Sequence, residues 1–307
     1  MASIILPTFE WTASCQSLYE QLEPDDELLV VVDTESAPAA GPVRERPDAT
    51  LVFAGEPTES SGKSNAVAAG LEAASQDELL LTDSDVPRGE DWLSRLKSGV
   101  NEHGAVTGGV LFAHTGGAGR FPSWLIEPLQ AVFMIILMLS GGLWGGAAGF
   151  HRRHIDDMDA LVEDLRRTVT DDLLIGEHLT TSVEADFALT AVIPVEAGVE
   201  RFRDRWVRYA LSFRYGDDAS LGVAFLFGAI QAAALVLIPL PTILFSLLLG
   251  GVVYWRFDTV RPTFLLTPIT FVVNVVFTGY AATRSEFVWG DRQYRWRDKF
   301  DVEVIDN

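Results

Sequence analysis

The sequence predicts an α/β domain with a mostly parallel sheet, followed by helices that span a membrane. Two patterns indicate this organisation. Over residues 1 to 110, short apolar runs alternate with helical patterns, which is typical of a parallel sheet covered by helices on both faces. Further along, the chain becomes almost uncharged, since only Arg256, Asp258 and Arg261 carry charge between residues 219 and 283.

Five apolar runs predict the strands of the sheet. They are Ser3–Leu6, Glu27–Val32, Thr50–Ala54, Glu78–Thr82 and Ala105–Phe112. Three helical patterns lie between them, at Thr12–Leu22, Ser64–Ala74 and Glu90–Glu102. Ligands of open α/β sheets bind outside the carboxyl ends of the strands. We therefore expect the residues that follow these runs, including Pro7 and Asp33, to gather at one ligand edge.

Two acids, Asp83 and Asp85, follow the fourth run with one residue between them. Carboxylates in this position make a hard-oxygen site for Mg²⁺ or Mn²⁺, which leaves coordination positions open for phosphate oxygens. Acids also follow strands in ordinary solvated turns. The pair alone therefore fits both a metal site and a turn.

The segment Ser60–Ser64 opens the helix after the third strand and contains Lys63. A P-loop is excluded, because six residues separate Gly55 from Gly62 where that motif has four. Two interpretations remain. One is an anion site made by a lysine and the amides of a helix N-terminus, and the other is a Ser/Gly cap with an incidental lysine.

The composition limits the partners. The net charge of −20 argues against nucleic-acid binding, which needs a basic surface. An acidic chain with lysine only at Lys63, Lys97 and Lys299 also suits life at high salt. The single cysteine, Cys15, excludes a disulfide framework and a thiolate metal cluster. No signal peptide is expected, since the first apolar run is too short for one.

Seven segments along the chain are weak indicators of function one by one, but their order and spacing together are specific. They are Ser3–Thr8, Val31–Ser36, Gly62–Ala66, Asp83–Asp85, Trp144–Arg152, Thr170–Leu179 and Phe202–Trp206. In this order and spacing they resemble the family-two glycosyltransferases, which have the GT-A nucleotide-sugar-binding fold. The chain is most similar to the ceramide-glucosyltransferase-like subfamily and its prokaryotic relatives of haloarchaeal type. Trp289–Tyr294 is similar to the segment that follows the membrane helices in that group.

The resemblance implies a donor site. Asp83 and Asp85 would bridge the nucleotide sugar and a divalent metal, with Asp85 as the more direct ligand. Asp33 would contact the base or ribose, and Pro7 would lie beside it at the end of the first strand. Lys63 would hold the nucleotide or its phosphates, with Asn65 nearby.

The resemblance also implies a catalytic base. Asp172 matches the base of the family, and Asp171 matches the acid before it. One base without a second nucleophile implies inversion at the anomeric carbon. Taken alone, Asp171 and Asp172 also fit an acid pair that the macrodipole favours at a helix N-terminus.

Arg205 and Trp206 match a signature that would close over the diphosphate, with the guanidinium supplying forked donors and the indole a packing face. The chain departs from the family at Phe202, where Gln or Arg is usual, although Arg201 and Arg203 flank that position. The arginines of residues 201–214 also suit a juxtamembrane anchor for acidic headgroups, and the two roles are compatible.

The membrane part is predicted as three helices near residues 221–240, 242–255 and 263–283. Three crossings would put the basic residues of the tail opposite the arginines before Leu221, whereas the positive-inside rule favours the same side. A tilted or re-entrant second helix would leave two crossings and remove this conflict. Ala131–Leu139 is apolar too, but it lies between two catalytic-domain segments, so we expect a buried or interface-lying helix.

The sequence therefore predicts a catalytic domain at residues 1–215, membrane helices at 216–283 and a charged tail at 284–307. By resemblance, the protein would be a multi-pass cell-membrane enzyme with a cytoplasmic catalytic domain. It would transfer a hexose from a donor such as UDP-glucose to a lipid hydroxyl, with Mg²⁺ or Mn²⁺ as cofactor.

Two alternatives remain. A polyprenyl-phosphate glycosyltransferase has the same fold and a similar membrane tail. A non-catalytic membrane scaffold is disfavoured by the presence of all four acids, Asp33, Asp83, Asp85 and Asp172. A Rossmann oxidoreductase is also disfavoured, because no Gly-x-Gly-x-x-Gly follows the first strand.

Overall fold

A computed structural model describes residues 1–114, 123–195, 199–216, 220–259 and 261–306. The chain forms two compact units that alternate along the sequence. The first unit comprises Met1–Gly109, Leu137–Ala191 and Lys299–Val304. The second comprises Val110–Ile136, Val192–Asp298 and Ile305–Asn307. The linear domain boundary near residue 215 stays a prediction.

The first unit is an α/β structure built around a seven-stranded sheet. Its strands are β1 (Ala2–Pro7), β2 (Glu27–Val32), β3 (Ala49–Phe53), β4 (Glu78–Thr82), β5 (Ala105–Thr107), β7 (Ala147–His151) and β8 (Glu184–Ala185). Its helices are α1 (Ala13–Tyr19), α2 (Ala40–Arg44), α3 (Gly62–Ala73), α4 (Trp92–His103), α6 (Met158–Leu165) and α7 (Asp171–His178). The strand order is β3-β2-β1-β4-β7-β5-β8.

The central sheet is mostly parallel, as predicted. β3, β2, β1 and β4 run parallel to one another, and β7 runs antiparallel to both β4 and β5. Strands covered by helices on both faces read as continuous apolar runs, and β1, β2 and β4 are buried almost throughout. Gly70 lets α3 approach β1 closely, since a Cβ there would lie 2.4 Å from Ile5 Cγ2.

The fifth predicted strand, Ala105–Phe112, is two strands in the structure. β5 ends at Thr107, and β6 (Val110–His114) pairs with β9 (Ala191–Val195) in a separate two-stranded sheet. Gly108 explains the break, because a Cβ at this position would lie 2.7 Å from the Leu189 carbonyl oxygen and 2.8 Å from Ala147 Cβ. The chain passes through this narrow gap and leaves the central sheet.

The second unit is mainly helical. It contains α5 (Glu127–Leu139), which ends in the first unit, together with α8 (Val199–Gly216), α9 (Ser220–Leu237), α10 (Pro239–Arg256) and α11 (Thr267–Ala281). Each of the three predicted membrane segments corresponds to one of α9, α10 and α11. The break between the first two occurs at Ile238, and Pro239 occupies the first turn of α10, where proline is tolerated.

Two segments of the described chain are long and apolar enough to cross a membrane, Pro239–Arg256 and Pro262–Ala281. Phe225–Leu237 and Glu127–Leu139 are apolar but shorter. Only 28% and 33% of the residues in the two long segments are buried, so these helices are not covered like core helices. By length and composition this is weak support for a membrane part.

One buried carboxylate ties α5 to the end of α10. Glu127 is fully buried, and its two oxygens accept hydrogen bonds from Arg261 Nε and Nη2 at 2.7 and 3.0 Å. The Tyr254 hydroxyl donates to the same carboxylate at 3.1 Å, and the Thr263 hydroxyl also donates to it. A buried charge is tolerated when it is paired and hydrogen-bonded in this way.

The charged tail contains a β-hairpin that the sequence did not lead us to expect. β10 (Glu286–Trp289) and β11 (Arg292–Asp298) pair antiparallel, and β12 (Asp301–Asp306) follows. Gly290 and Asp291 both have positive φ, at 58° and 60°, as a two-residue type I′ turn requires. Three aromatic side chains that lie among the charged residues of the hairpin are buried, namely Phe287, Tyr294 and Trp296.

Candidate active site

The parallel strands of the first unit bring the predicted donor residues to one edge of the sheet. Pro7 ends β1, Asp33 follows β2, and Asp83 follows β4. The β1–β2 and β1–β4 registers place these strand ends side by side. The Asp83 side chain is partly exposed, and Asp85 is exposed.

The start of α3 is tied to the segment that precedes α7. Ser61 caps α3 by accepting a hydrogen bond from the Ser64 amide at 3.0 Å. The hydroxyls of Ser61 and Ser64 both donate to the Val169 carbonyl at 2.9 Å, and the Ser61 amide donates to the Thr168 carbonyl. These bonds hold the N-termini of α3 and α7 together, so that Lys63 lies next to Asp171.

Lys63 lies between two acids from different segments. Its Nζ is 2.8 Å from Asp83 Oδ1 and 3.3 Å from Asp171 Oδ2. Burial lowers the pKa of Lys63, but the attraction of Asp171, Asp83 and Asp172 outweighs burial and raises the pKa well above its usual range. Lys63 is therefore a permanent cation at the centre of an acidic cluster.

Asp171 is the buried member of the acid pair and is 3% exposed. Burial raises the pKa of Asp171 to about 6, against the opposing attraction of Lys63, and repulsion from Asp172 and Asp83 adds to the rise. Its Oδ2 lies near Lys63, yet it has no hydrogen-bond partner among the described residues. The contact between the two side chains is therefore an ion pair without hydrogen-bond geometry.

Asp172 is the accessible member of the pair and is half-buried at the start of α7. Its Oδ2 accepts a hydrogen bond from the Gly145 amide at 3.3 Å, and its Oδ1 accepts from the Leu173 amide at 2.9 Å. Of the two acids, only Asp172 combines solvent access with a fixed orientation, as a general base requires.

Gly145 closes the cluster from the side of β7. A Cβ at this position would lie 2.8 Å from Asp171 Oδ2, 3.1 Å from Lys63 Nζ and 3.5 Å from Asp172 Cβ. A side chain would therefore displace the ion pair. Within the Gly-rich segment the sequence analysis did not single out this glycine, because its role depends on a contact with distant residues.

Asn65 is buried and bonded within the protein. Its Nδ2 donates to the carbonyls of Ala54 and Gly55, at 3.2 and 2.9 Å, and its Oδ1 accepts from Arg166 Nη1 at 3.0 Å. The Gly55 amide in turn donates to the Asp33 carbonyl. Asn65 therefore fixes the turn beside Asp33, and its predicted role in donor binding would be indirect.

Arg205 and Trp206 lie on α8, in the second unit. The Arg205 guanidinium lies 5.4 Å from the centre of the Phe112 ring. Trp206 is buried, with its ring 6.0 Å from Phe202 and 6.1 Å from Phe277. Phe202 also packs edge-on against Phe277 at 4.9 Å, so the aromatic side chain at this position is part of a cluster of three rings.

Arg88 was missed by the sequence analysis, since an arginine after two acids gives no signal by its type or spacing. Its guanidinium binds the backbone carbonyl of Asp83, and it lies 5.1 Å from the Trp92 ring. Burial lowers the pKa of Arg88 to about 10, so the group stays charged at neutral pH.

The donor chemistry of the site fits a divalent cation. Among the described residues, no group of three or more His, Cys, Asp or Glu side chains is arranged to hold a metal. Mg²⁺-type ions are usually bound by one or two carboxylates, with substrate phosphates and waters completing the shell. Asp85 and Asp83 supply such a pair of carboxylates at the ligand edge.

Comparisons with known proteins give a likeness of fold at low identity. No family model matches the chain, and no curated protein matches it. Glucosyl-3-phosphoglycerate synthase from Mycobacterium tuberculosis, in complex with phosphoglyceric acid, is 14% identical with a TM-score of 0.42, covering 69% of this chain and 79% of that one. The structure of the same protein in complex with Mn²⁺ and uridine-diphosphate-glucose is 15% identical with a TM-score of 0.41. The match covers 69% of this chain and 78% of that one.

TarS 1-349 of S. aureus, in complex with UDP-GlcNAc, is 14% identical with a TM-score of 0.41, covering 100% of this chain and 99% of that one. At these values the likeness carries no argument about activity.

Proposed function

We propose that the protein is a membrane-bound, metal-dependent inverting glycosyltransferase. It transfers a hexose from a nucleotide diphosphate sugar, with UDP-glucose as the first donor to test, onto the hydroxyl of a lipid. The observation that carries this proposal is the cluster at the sheet edge. There Lys63 lies between Asp83 and Asp171, and the accessible Asp172 lies beside them.

The donor side of the cluster is suited to a diphosphate. Asp85 and Asp83 would hold Mg²⁺ or Mn²⁺, which supplies Lewis-acid stabilisation of the leaving diphosphate. Lys63 adds a fixed positive charge at the N-terminus of α3, where helix amides also favour an anion. Asp33 and Pro7 follow neighbouring strands and would bound the nucleoside.

The acceptor side of the cluster is suited to general-base catalysis. Asp172 would accept the proton of the acceptor hydroxyl as that oxygen forms the new glycosidic bond and the diphosphate leaves. The amides of Gly145 and Leu173 keep its carboxylate oriented. Direct attack by the acceptor inverts the configuration at the anomeric carbon.

A lipid acceptor is supported by the exposed apolar surface of the second unit. Large apolar side chains are exposed along its last three helices, namely Phe225, Leu226, Ile230, Val236, Leu237, Leu240, Leu244, Phe245, Leu248, Val252, Trp255, Ile269 and Val276. Exposed apolar side chains in this number along three helices suit the hydrocarbon of a bilayer. Residence in the cell membrane with a cytoplasmic catalytic domain is part of the proposal.

The test is an assay of membranes that contain the protein. They are incubated with Mn²⁺ and a panel of labelled nucleotide sugars, and the extracted lipids are then separated. We expect label in an acid-stable glycolipid with the wild-type chain and none with Asp172→Asn. An acid-labile sugar phosphate would instead indicate a polyprenyl-phosphate glycosyltransferase. No labelled lipid with any donor, despite a folded protein, would favour the scaffold.

A further inference from the structure

Arg88 lies directly behind the turn that carries Asp83 and Asp85. Its Nη2 donates to the Asp83 carbonyl at 2.6 Å and to Thr82 Oγ1 at 2.5 Å. Its Nη1 donates to the Ser14 carbonyl in the first turn of α1 at 2.8 Å. One guanidinium therefore connects the end of β4 to the start of α1.

The hydroxyl of Thr82 extends this connection to the other side of the cluster. Thr82 Oγ1 accepts from Arg88 and donates to the Gly146 carbonyl at 2.9 Å. The neighbouring Gly145 amide donates to Asp172 Oδ2. The hydrogen bonds of Arg88 and Thr82, the covalent backbone of Gly145 and Gly146, and the Gly145 amide thus link the backbone of Asp83 to the carboxylate of Asp172.

The same turn is held from α1 by a second contact. The Thr12 hydroxyl, which caps α1, donates to the Ser84 carbonyl at 2.6 Å. Two successive carbonyls of the turn, those of Asp83 and Ser84, are therefore fixed by side chains. A planar guanidinium has the rigid fork of donors that such simultaneous contacts require.

Stability alone gives a poor account of this arginine. Arg88 is half-buried, and burial disfavours its charged form, so holding the guanidinium at this place costs free energy. Among the described residues, Arg88 donates hydrogen bonds to two carbonyls and one hydroxyl around the proposed metal-binding turn. These bonds fix the position of the turn relative to β4 and α1.

We propose that Arg88 is a positioning residue for the donor site, and that Thr82 couples this site to Asp172. The inference rests on the proposed function and deepens it. Arg88 sets where Asp83 and Asp85 present their oxygens to a metal–diphosphate. Thr82 sets the Gly145–Gly146 turn that orients Asp172. Outer-shell partners of this kind typically change metal affinity or activity by about 10–100-fold.

The test measures Mn²⁺ binding to the purified full chain in the presence of UDP, from the electron paramagnetic resonance signal of free Mn²⁺. Arg88→Lys keeps the charge and loses the fork, so we expect Mn²⁺–UDP affinity to fall by about 10–100-fold. Arg152→Lys is the matched control. Arg152 donates to the Ala74 carbonyl at 2.7 Å, near the opposite end of β7, so binding should stay unchanged.

Thr82 provides a second pair of variants. Thr82→Val removes the hydroxyl at nearly constant volume, so we expect kcat to fall about tenfold or more while Mn²⁺–UDP affinity stays within a few-fold. Thr82→Ser restores the hydroxyl and should restore kcat. A role in stability alone would lower the unfolding temperature and leave both readouts unchanged in the protein that remains folded.

The outcomes separate this inference from the proposed function. Wild-type Mn²⁺–UDP affinity in folded Arg88→Lys, or an equal loss in Arg152→Lys, would overturn the role of Arg88. Equal kcat in Thr82→Val and Thr82→Ser would overturn the coupling, and this pair decides the question if Arg88→Lys does not fold. A wild-type chain that binds neither Mn²⁺ nor UDP would overturn the proposed function and this inference with it.

Discussion

The substitution Asp172→Asn tests the proposed base most directly. The carboxylate accepts one hydrogen bond from the Leu173 amide at 2.9 Å and one from the Gly145 amide at 3.3 Å. An asparagine side chain has a single oxygen, so it can keep only one of these bonds. We expect it to keep the shorter one and to turn its NH₂ group towards Gly145.

The structural and catalytic effects of Asp172→Asn appear in different measurements. Loss of one hydrogen bond to a charged carboxylate costs roughly 1.5–3 kcal/mol of folding stability. Loss of general-base catalysis should lower kcat by about 10²–10⁴-fold, which corresponds to roughly 3–5 kcal/mol in the barrier. Nucleotide-sugar affinity, which depends on Asp33, Lys63 and the Asp83–Asp85 turn, should stay within a few-fold.

The measurements are kcat from labelled lipid product, donor affinity from calorimetry and the unfolding temperature. Asp171→Asn is the matched comparison and should lower kcat less, because Asp171 is buried and faces Lys63. Normal turnover in Asp172→Asn together with an inactive Asp171→Asn would shift the assignment by one residue. Normal turnover in both variants would refute the base assignment altogether.

Three further predictions concern the metal, the Gly145 contact and the membrane. Excess EDTA should abolish transfer and Mn²⁺ should restore it, whereas full activity in EDTA would exclude Asp85 as a metal ligand. Gly145→Ala should lower kcat at least about tenfold, because its Cβ would lie 2.8 Å from Asp171 Oδ2, whereas Gly41→Ala, with nothing within 4 Å, should behave as wild type. Carbonate washing at alkaline pH should leave the chain in membranes, and its release would refute the membrane helices.

Local pattern predicted most of the first unit. β1, β2 and β4 are apolar runs ended by Pro7, Asp33 and Asp83, and helix-covered parallel strands have this appearance. β7 escaped this reasoning, since Ala147–His151 contains a glycine and two alanines. Its burial depends on neighbours distant in sequence, such as Leu80 and Val100, which contact Gly149.

The residues of the site could be predicted better than the hydrogen bonds that hold them together. Residue type and position led to Lys63 and Asp83, and the resemblance of Thr170–Leu179 led to Asp171 and Asp172. The structure brings these four side chains together. Nothing in the local sequence indicated that the Ser61 and Ser64 hydroxyls share the Val169 carbonyl. The hairpin in the tail could have been expected from Gly290-Asp291, but the charges around these residues obscured its alternation of apolar side chains.

The joining of α3 to α7 also has a consequence for the order of events during synthesis. Lys63 and Asp83 leave the ribosome early, whereas Asp171 follows Asp83 by about ninety residues, or roughly 5–20 s at typical elongation rates. During this interval Lys63 has Asp83 for a partner and Asp171 does not yet exist. The ion cluster can form only once residues 168–171 have emerged, and all of these precede α9, α10 and α11. A ribosome-bound chain long enough for α7 to have left the exit tunnel should therefore already protect the start of α3 from proteolysis. A chain whose residues 168–171 are still inside the tunnel should not.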